Sequence, residues 1–355
     1  MSRGFLAHYL LAACVTLLLS ACTSEPPARD TIPSTGQSDA VARFEALRPP
    51  ASWVLPEARS ENLLYVSGNN GYVYIFSFPK GKLVGTLTGF QEVAGVCADV
   101  AGNVWVANSA AFDLIEYAHG GTSPIATLID YQNYPFSCSV NHQTGDLAVS
   151  NVFSIKQGQA GSIAVYKSAA GTPKLYAASR FSEYYFLAYG PRAKIYFDGN
   201  GYGRNFEMAR LYRDNFTPIE ILGAKIASPG GVQYAEGSLT IGGADNAGDG
   251  IIYRITDQGV VTGATTLIGS SGCMSYEIWK TYAICASGNG NVPIYKYPAG
   301  GSPIETVGAS TYPFQVVISE ATKRWSPNAE PGTLLKSSPF LEKSRSKNGP
   351  MTPHG

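Results

Sequence analysis

Four short apolar segments follow one another along the chain, and this set of four occurs six times at intervals of roughly 40 to 48 residues. Turns containing Gly, Pro or Asn separate the segments, which are short and rich in β-branched and aromatic residues, as strands are. The most regular segment of each set begins at Leu64, Val104, Leu147, Ile195, Leu239 and Tyr282. A repeat of this length indicates one supersecondary unit copied along the chain rather than several unrelated domains.

The repeat predicts an all-β fold, a six-bladed β-propeller. A single four-stranded sheet cannot bury both faces, whereas radially stacked sheets cover one another and a closed ring has no open ends. The first repeat starts near Leu63 without an innermost strand, and an unused strand, Gln315–Ser319, follows the last repeat. We therefore expect Gln315–Ser319 to complete the blade begun at Leu63. Only 15% of the residues are charged, against about 25% in an average soluble domain, as expected for strands covered on both faces.

The N-terminus has the organisation of an export signal. Arg3 precedes an apolar run from Phe5 to Leu19, which is short for a membrane span. The run ends in Leu19-Ser20-Ala21-Cys22, which resembles the lipobox of bacterial lipoproteins. This resemblance implies cleavage before Cys22, acylation of its thiol and attachment to a membrane through the lipid. Thr23 stands where that family's inner-membrane retention signal has Asp, so an exported outer-membrane lipoprotein is expected, with an ordinary signal peptide as the alternative.

These features divide the chain into four parts. Residues 1–21 are the lipoprotein signal peptide, and residues 22–52, rich in Ser, Pro and Ala, form a flexible tether. Residues 53–322 form the propeller. Residues 323–355 are polar, with Lys and Arg scattered among Ser, Pro and Asn, and we expect them to be disordered.

One repeat carries a resemblance to known propellers. Residues 98–108 (ADVAGNVWVAN) resemble NHL-type repeats and are similar to the senescence-marker and gluconolactonase superfamily, and the likeness covers roughly residues 60–320. Lactonases of that superfamily hold a divalent metal at the channel mouth. The resemblance therefore implies an alternative function, a metal-dependent lactonase-like hydrolase with a Ca²⁺ site at Asn108, Asn151 and Asp245. The other interpretation is that Asn ends these strands because it tolerates left-handed turns.

Four cysteines lie within the predicted propeller, and export permits disulfides. A hairpin turning about Trp279 places Cys273 opposite Cys285, within bonding range. Cys97 and Cys138 share one register in the innermost strands of neighbouring blades. The sequence therefore allows the bridges Cys273–Cys285 and Cys97–Cys138, with four buried free thiols as the alternative.

Aromatic residues gather in the connections that lead from the fourth strand of one blade to the first strand of the next. Propeller topology brings these connections together around the axis on one face. Exposed Tyr offers a broad contact area with a polar tip, which suits a protein, peptide or glycan partner. Packing between blades is the alternative use of such aromatics. The predicted binding residues are Tyr134, Tyr184, Tyr185, Tyr276, Tyr312 and Glu183.

Charge and histidine content exclude several function classes. Lys plus Arg and Asp plus Glu both number 26, so no basic surface is expected for nucleic acid. His119 and His142 fall in predicted turns, where we expect surface positions, and the cysteines lack zinc-site spacing. The sequence thus predicts a lipid-anchored binding platform of the cell envelope. It predicts no catalytic residue, and no cofactor apart from the Ca²⁺ of the lactonase alternative.

Overall fold

The computed structural model describes residues 51–156, 159–308 and 312–321. These residues form 25 β-strands in six sheets, joined by turns that include four short 3-10 segments. No helix among them is long and apolar enough to cross a bilayer. The signal peptide, Cys22, most of the tether and the C-terminal tail lie outside the described residues.

Each sheet is one blade, whose strands run outward from a central channel. Blade 1 differs from the others because its innermost strand is the last strand of the chain. From the channel outward, its strands are β25 (Pro313–Ser319), β2 (Asn62–Gly68), β3 (Tyr72–Phe78), β4 (Leu83–Leu87) and β1 (Trp53–Val54).

The other five blades each contain four consecutive strands. Blade 2 has β5 (Val93–Ala98), β6 (Val104–Asn108), β7 (Asp113–Tyr117) and β8 (Pro124–Ile129). Blade 3 has β9 (Asn133–Val140), β10 (Leu147–Ser154), β11 (Ala160–Tyr166) and β12 (Lys174–Tyr176). Blade 4 has β13 (Phe181–Tyr189), β14 (Ile195–Gly201), β15 (Phe206–Tyr212) and β16 (Asn215–Pro218). Blade 5 has β17 (Val232–Ala235), β18 (Ser238–Ala244), β19 (Gly250–Ile255) and β20 (Val261–Leu267). Blade 6 has β21 (Cys273–Trp279), β22 (Tyr282–Ser287), β23 (Asn291–Lys296) and β24 (Glu305–Gly308).

The core of the molecule lies between the blades. The innermost strands contact one another in the order β25, β5, β9, β13, β17, β21 and back to β25, which closes the ring. The second strand of each blade is buried along most of its length because neighbouring blades cover both faces of its sheet. These second strands are the regular apolar segments of the repeat. The predicted all-β, six-bladed architecture is confirmed.

The predicted closure of the ring is also confirmed. β25 pairs antiparallel with β2, with Leu63 opposite Ser319 and Val66 opposite Val316. The buried Gln315 side chain extends this link around the channel. Its Oε1 accepts a hydrogen bond from the backbone amide of Val96 in blade 2 at 3.1 Å, and its Nε2 donates to a serine of blade 3 at 2.7 Å. The last strand therefore ties three consecutive blades together.

His119 supports the same closure, and its expected surface position was wrong. The residue is half-buried in the turn between β7 and β8. Its Nε2 lies 3.0 Å from the carbonyl oxygen of Glu61, and its Nδ1 lies 2.6 Å from Ser319 Oγ. Because a carbonyl only accepts, Nε2 donates to Glu61, and the Ser319 hydroxyl donates its own hydrogen to the carbonyl oxygen of Gly102. Burial lowers the pKa of His119, against the opposing effect of the Glu61 carbonyl.

β1 is a fifth strand that the repeat does not predict. It covers the outer edge of blade 1, with Trp53 opposite Thr86 and Val54 opposite Gly85. A side chain at position 85 would prevent this pairing, since a Cβ there would lie 2.7 Å from Val54 Cγ2. The absence of a side chain at Gly85 thus permits the extra strand.

Candidate functional site

The propeller has two faces that are built from different parts of each blade. The top face carries the connections between blades and the turns between second and third strands, including Tyr131 and Tyr312. The bottom face lies at the ends of the innermost strands and includes His142 and Glu320. The sequence predicts the binding residues on the top face.

Two of the predicted binding residues are core residues, and their placement on an exposed face was wrong. Tyr184 is 0% exposed, with its ring stacked 5.1 Å from that of Phe181 and its hydroxyl bonded to the Ala178 amide at 2.6 Å. Tyr276 is 4% exposed and donates to Thr240 Oγ1 at 2.9 Å. Both rings fill the space between adjacent blades, which was the alternative use of these aromatics.

The other four predicted binding residues have at least partly accessible side chains. Tyr312 is 62% exposed. Tyr134 is half-buried and stacks on Phe153 with the ring centroids 4.7 Å apart. The hydroxyl of the half-buried Tyr185 donates to Glu183 Oε2 at 3.1 Å, and the same oxygen accepts from an asparagine of blade 4 at 2.8 Å. Burial and the neighbouring Glu183 carboxylate raise the pKa of Tyr185 to about 12, so its hydroxyl remains a donor near neutral pH.

The top face also holds exposed aromatics that the sequence reasoning did not select. Tyr131 is 75% exposed in the connection between blades 2 and 3, and Tyr202 is 71% exposed in the turn between β14 and β15. The exposed Phe153 joins Tyr134 there. Tyr202 lies in a second-to-third turn, and the prediction searched only the connections between blades. Propeller topology could have predicted Tyr202 as a binding residue, because the second-to-third turns lie on the same face as the connections between blades.

An aromatic cluster spans the channel near the top face. The Phe136 ring contacts those of Tyr185 at 5.2 Å, Phe186 at 5.3 Å and Phe314 at 6.4 Å. These four rings come from the innermost strands of blades 1, 3 and 4. One of these rings, Phe186, also lines the cavity described below.

The predicted metal ligands each have a local role. Asn108 Oδ1 accepts the backbone amides of Gln91 at 2.9 Å and of the following residue at 3.3 Å. Asn151 Nδ2 donates to Ser162 Oγ at 3.2 Å. Asp245 Oδ1 accepts two amides of its own turn, at 2.8 and 2.9 Å. Two of the three thus fix the backbone of the loop beside them, and the lactonase alternative stays a prediction.

Asp198 joins blades 4 and 5. It is fully buried, its Oδ1 accepts the amide of Phe186, and its Oδ2 accepts the amide of Gly230, both at 2.9 Å. Burial raises the pKa of Asp198 to about 8, although the two amide bonds act in the opposite direction. Its place in the second strand matches that of Ala107 in blade 2, one residue before Asn108, because Ile195 and Val104 each pair with the last residue of the innermost strand.

The structure contains both disulfides that the sequence allows. Cys97 and Cys138 have Cα atoms 5.7 Å apart and join blades 2 and 3. Cys273 and Cys285 have Cα atoms 5.6 Å apart within blade 6. The predicted hairpin register was wrong, since Cys285 pairs with Tyr276 rather than with Cys273. A bulge after Cys273 brings the two sulfur atoms together from offset positions.

A cavity of about 720 Å³ lies below the aromatic cluster and opens on the bottom face. Its walls are the second halves of the innermost strands and the turns that follow them, so all six blades form it. Among the described residues that line it, three carry carboxylates, Asp99, Glu277 and Glu320. The same set of lining residues contains no Lys and no Arg. Its aromatic and histidine side chains are His142, Phe186, Tyr189, Tyr234, Tyr276 and Trp279.

Glu277 differs from the other two carboxylates of the cavity. Gln233 Nε2 donates to Glu277 Oε2 at 3.1 Å, and Gln233 is itself held by the Ile278 amide at 2.7 Å. Asp99 accepts backbone amides of its own turn, and Glu320 accepts an indole N–H at 2.6 Å. Within the described chain, no cationic side chain forms an ion pair with Glu277. Burial raises the pKa of Glu277 to about 8.

Comparison with known proteins supports the fold. No protein-family profile matches the chain, and no curated protein matches its sequence. A chain from the crystal structure of a nidogen/laminin complex is similar at 12% identity with a TM-score of 0.58, over 73% of this chain and 99% of its own length. The fold is that of a propeller. A protein of unknown function from Bacteroides caccae is similar at 10% identity with a TM-score of 0.55, over 73% and 99% of the two chains. The NHL-like resemblance of residues 98–108 stays a prediction.

Proposed function

We propose that this protein is a lipid-anchored binding platform of the bacterial cell envelope, whose top face holds a protein, peptide or glycan partner. The distribution of exposed aromatics carries the proposal. Of the five aromatic side chains exposed in the described chain, four lie on the top face (Tyr131, Phe153, Tyr202 and Tyr312), and the fifth, Trp53, lies on the outer edge of blade 1.

The chemistry of these side chains favours recognition of a surface over catalysis. Aromatic residues are enriched at interfaces because they bury a large area at a low entropic cost, and a tyrosine hydroxyl satisfies polar groups at the rim. The stacked pair of Tyr134 and Phe153 offers a flat apolar patch on which a sugar ring or an aromatic side chain can lie. Beneath this surface, rings from blades 1, 3 and 4 contact one another.

The test is capture of a partner by variants of the two faces. In the top variant, Tyr131, Tyr202 and Tyr312 are changed to Ser. In the matched control, the exposed Val100, Ile125 and Ile304, at the bottom-face ends of their blades, are changed to Ser. After cross-linking in envelope preparations, the top variant should retain at least tenfold less partner than wild type, and the control should retain it. Equal capture by both variants, with unchanged melting temperatures, would contradict the proposal.

The anchor has its own test. Metabolic labelling with palmitate should mark the wild-type protein and leave Cys22→Ser unlabelled, because the lipobox-like sequence places the acylated thiol at Cys22. Membrane fractionation should move the same variant to the soluble fraction. Label that persists in Cys22→Ser would refute the anchor and leave the platform proposal standing.

A further inference from the structure

We propose that the bottom-face cavity is a binding site for a small organic cation of the ammonium type, with Glu277 as its anionic contact. The proposal is independent of the partner on the top face, because the residues that line the cavity do not include the exposed top-face aromatics. It rests on the size of the cavity, the sign of its charges and the aromatic surface at its rim.

The cavity has the size of a small-molecule site. Its volume of about 720 Å³ falls within the roughly 300–1,000 Å³ typical of ligand pockets. Its walls combine apolar strand residues with polar side chains, among them Ser139, Asn141 and Gln143. Gln315 and Ser137, which are buried and bonded to each other at 2.7 Å, lie among the lining residues. Within the described chain, Glu277 is the lining carboxylate that neither pairs with a cation nor accepts a backbone amide.

The charges favour a cation. The lining of the cavity carries carboxylates and, among the described residues, neither Lys nor Arg. Glu320 already has a partner of its own in Lys280, whose Nζ lies 3.8 Å from its Oε1. Glu277 has a single donor, Gln233, and faces the cavity without a cation. A carboxylate in such surroundings is costly unless a positive charge approaches it, so a cationic ligand gains more there than at the surface.

The rim already shows how an ammonium group fits this surface. Lys280 Nζ lies 3.8 Å from the ring centroid of Trp279, between that ring and Glu320. Aromatic faces attract ammonium ions through their quadrupole, and the attraction is larger in a desolvated site. Tyr189 and Tyr234 line the cavity without a cation on their rings among the recorded contacts of the described chain. They supply the aromatic surface for a ligand held by Glu277.

Choline is a suitable probe because its quaternary ammonium is charged at every pH, and dimethylbutanol is its neutral carbon isostere. Calorimetry on the purified full chain should show choline binding at least tenfold tighter than the isostere. Glu277→Gln should reduce choline affinity at least tenfold. Glu305→Gln, which removes an equal charge from the exposed strand β24, should leave the affinity unchanged. Equal affinity for the two probes, no binding of choline, or equal loss in both variants overturns the proposal.

A pH series on the chain with Glu277 intact decides the matter if Glu277→Gln fails to fold. Choline affinity should rise at least tenfold between pH 6 and pH 8, as Glu277 becomes ionised. The other titratable groups of the lining are Asp99, His142, Tyr189, Tyr234, Tyr276 and Glu320. Of the lining side chains other than Glu277, histidine is the type whose ordinary pKa falls in this interval, so the series is run in His142→Gln. The buried Asp198, whose pKa is also raised to about 8, does not line the cavity. An affinity that does not rise with pH in that background refutes the role of Glu277.

Discussion

At the scale of single residues, Asp198 holds two blades together through geometry that only a carboxylate provides. Each of its oxygens accepts one backbone amide, from Phe186 and from Gly230. Asn has a single acceptor oxygen, so Asp198→Asn would leave one amide facing an NH₂ group. We expect a loss of about 1–3 kcal/mol in the free energy of unfolding, measured by urea denaturation.

Asp245→Asn is the matched control for this change. In Asp245 a single oxygen, Oδ1, accepts both amides of its turn, so Asn can keep both bonds. We expect a change within about 0.5 kcal/mol, the usual range for surface substitutions. Equal losses of unfolding free energy in the two variants would show that it does not matter that the two amides bind different oxygens of Asp198.

Glu277 and Asp198 make stability depend on pH. Burial raises the pKa of Glu277 from 4.5 to about 8 and that of Asp198 from 3.8 to about 8. In these intervals the folded state binds more protons than the unfolded state, so the contribution of the two groups to stability is fully present below pH 3.8 for Asp198 and below pH 4.5 for Glu277, and it falls as pH rises towards 8. Glu277→Gln should remove about 1–2 kcal/mol of this fall, allowing for the partial exposure of the side chain. Urea unfolding at pH 5 and pH 8 measures it, and an equal fall in both proteins would contradict the assignment.

Residue-level function was harder to predict than residue-level structure. Tyr184 and Tyr276 follow the same local pattern as Tyr134, yet the first two point between blades and the third towards the top face. A shift of one residue along a strand reverses the direction of its side chains, and local sequence does not fix that shift. Glu277 has no distinctive sequence neighbours at all, because its cavity is assembled from six distant segments.

At the scale of elements, the repeat predicts the strands well and their irregularities poorly. The closing strand was predictable because counting repeats leaves one innermost strand missing and one in excess. β1 could not be predicted in this way, because a strand of two residues shows no periodicity in its sequence. In blade 6 the hairpin turns at Lys280, which has φ +55°, between the paired Trp279 and Tyr282. The bulge after Cys273 shifts the pairing of β21 with β22 by one residue, and no residue type in this stretch predicts a bulge.

The two disulfides should contribute unequally to stability. Cys97–Cys138 closes a loop of 41 positions and links two blades, whereas Cys273–Cys285 closes one of 12 within a hairpin. Chain entropy favours the longer loop by about 1 kcal/mol. Replacing the first pair by Ala should therefore lower the free energy of unfolding by about 1 kcal/mol more than replacing the second. Urea denaturation of the oxidised proteins measures the difference, and a larger loss from the second pair would contradict the ranking.

At the scale of the whole molecule, stability depends on closure. Truncation after Tyr312 removes β25, which exposes one edge of β2 and breaks the Gln315 bonds to blades 2 and 3. We expect loss of cooperative unfolding in calorimetry and rapid proteolysis. Truncation after Ala321 keeps the strand and is the control, for which we expect a melting temperature within a few degrees of wild type. A folded product of the shorter chain would show that the ring does not need its closing strand.

Because β2 pairs with β25, the nascent chain cannot close its ring until nearly the whole propeller has been synthesised. Leu63 can pair with Ser319 only after the ribosome has added the 256 residues that follow Leu63 up to Ser319. At synthesis rates of about 5–20 residues per second, the interval is roughly 13 to 50 s. Until then no complete ring can exist, and the first hairpin presents a bare edge to whatever it meets. A chain that waits this long stays incompletely folded, and the exposed edge of β2 can meanwhile pair with another chain.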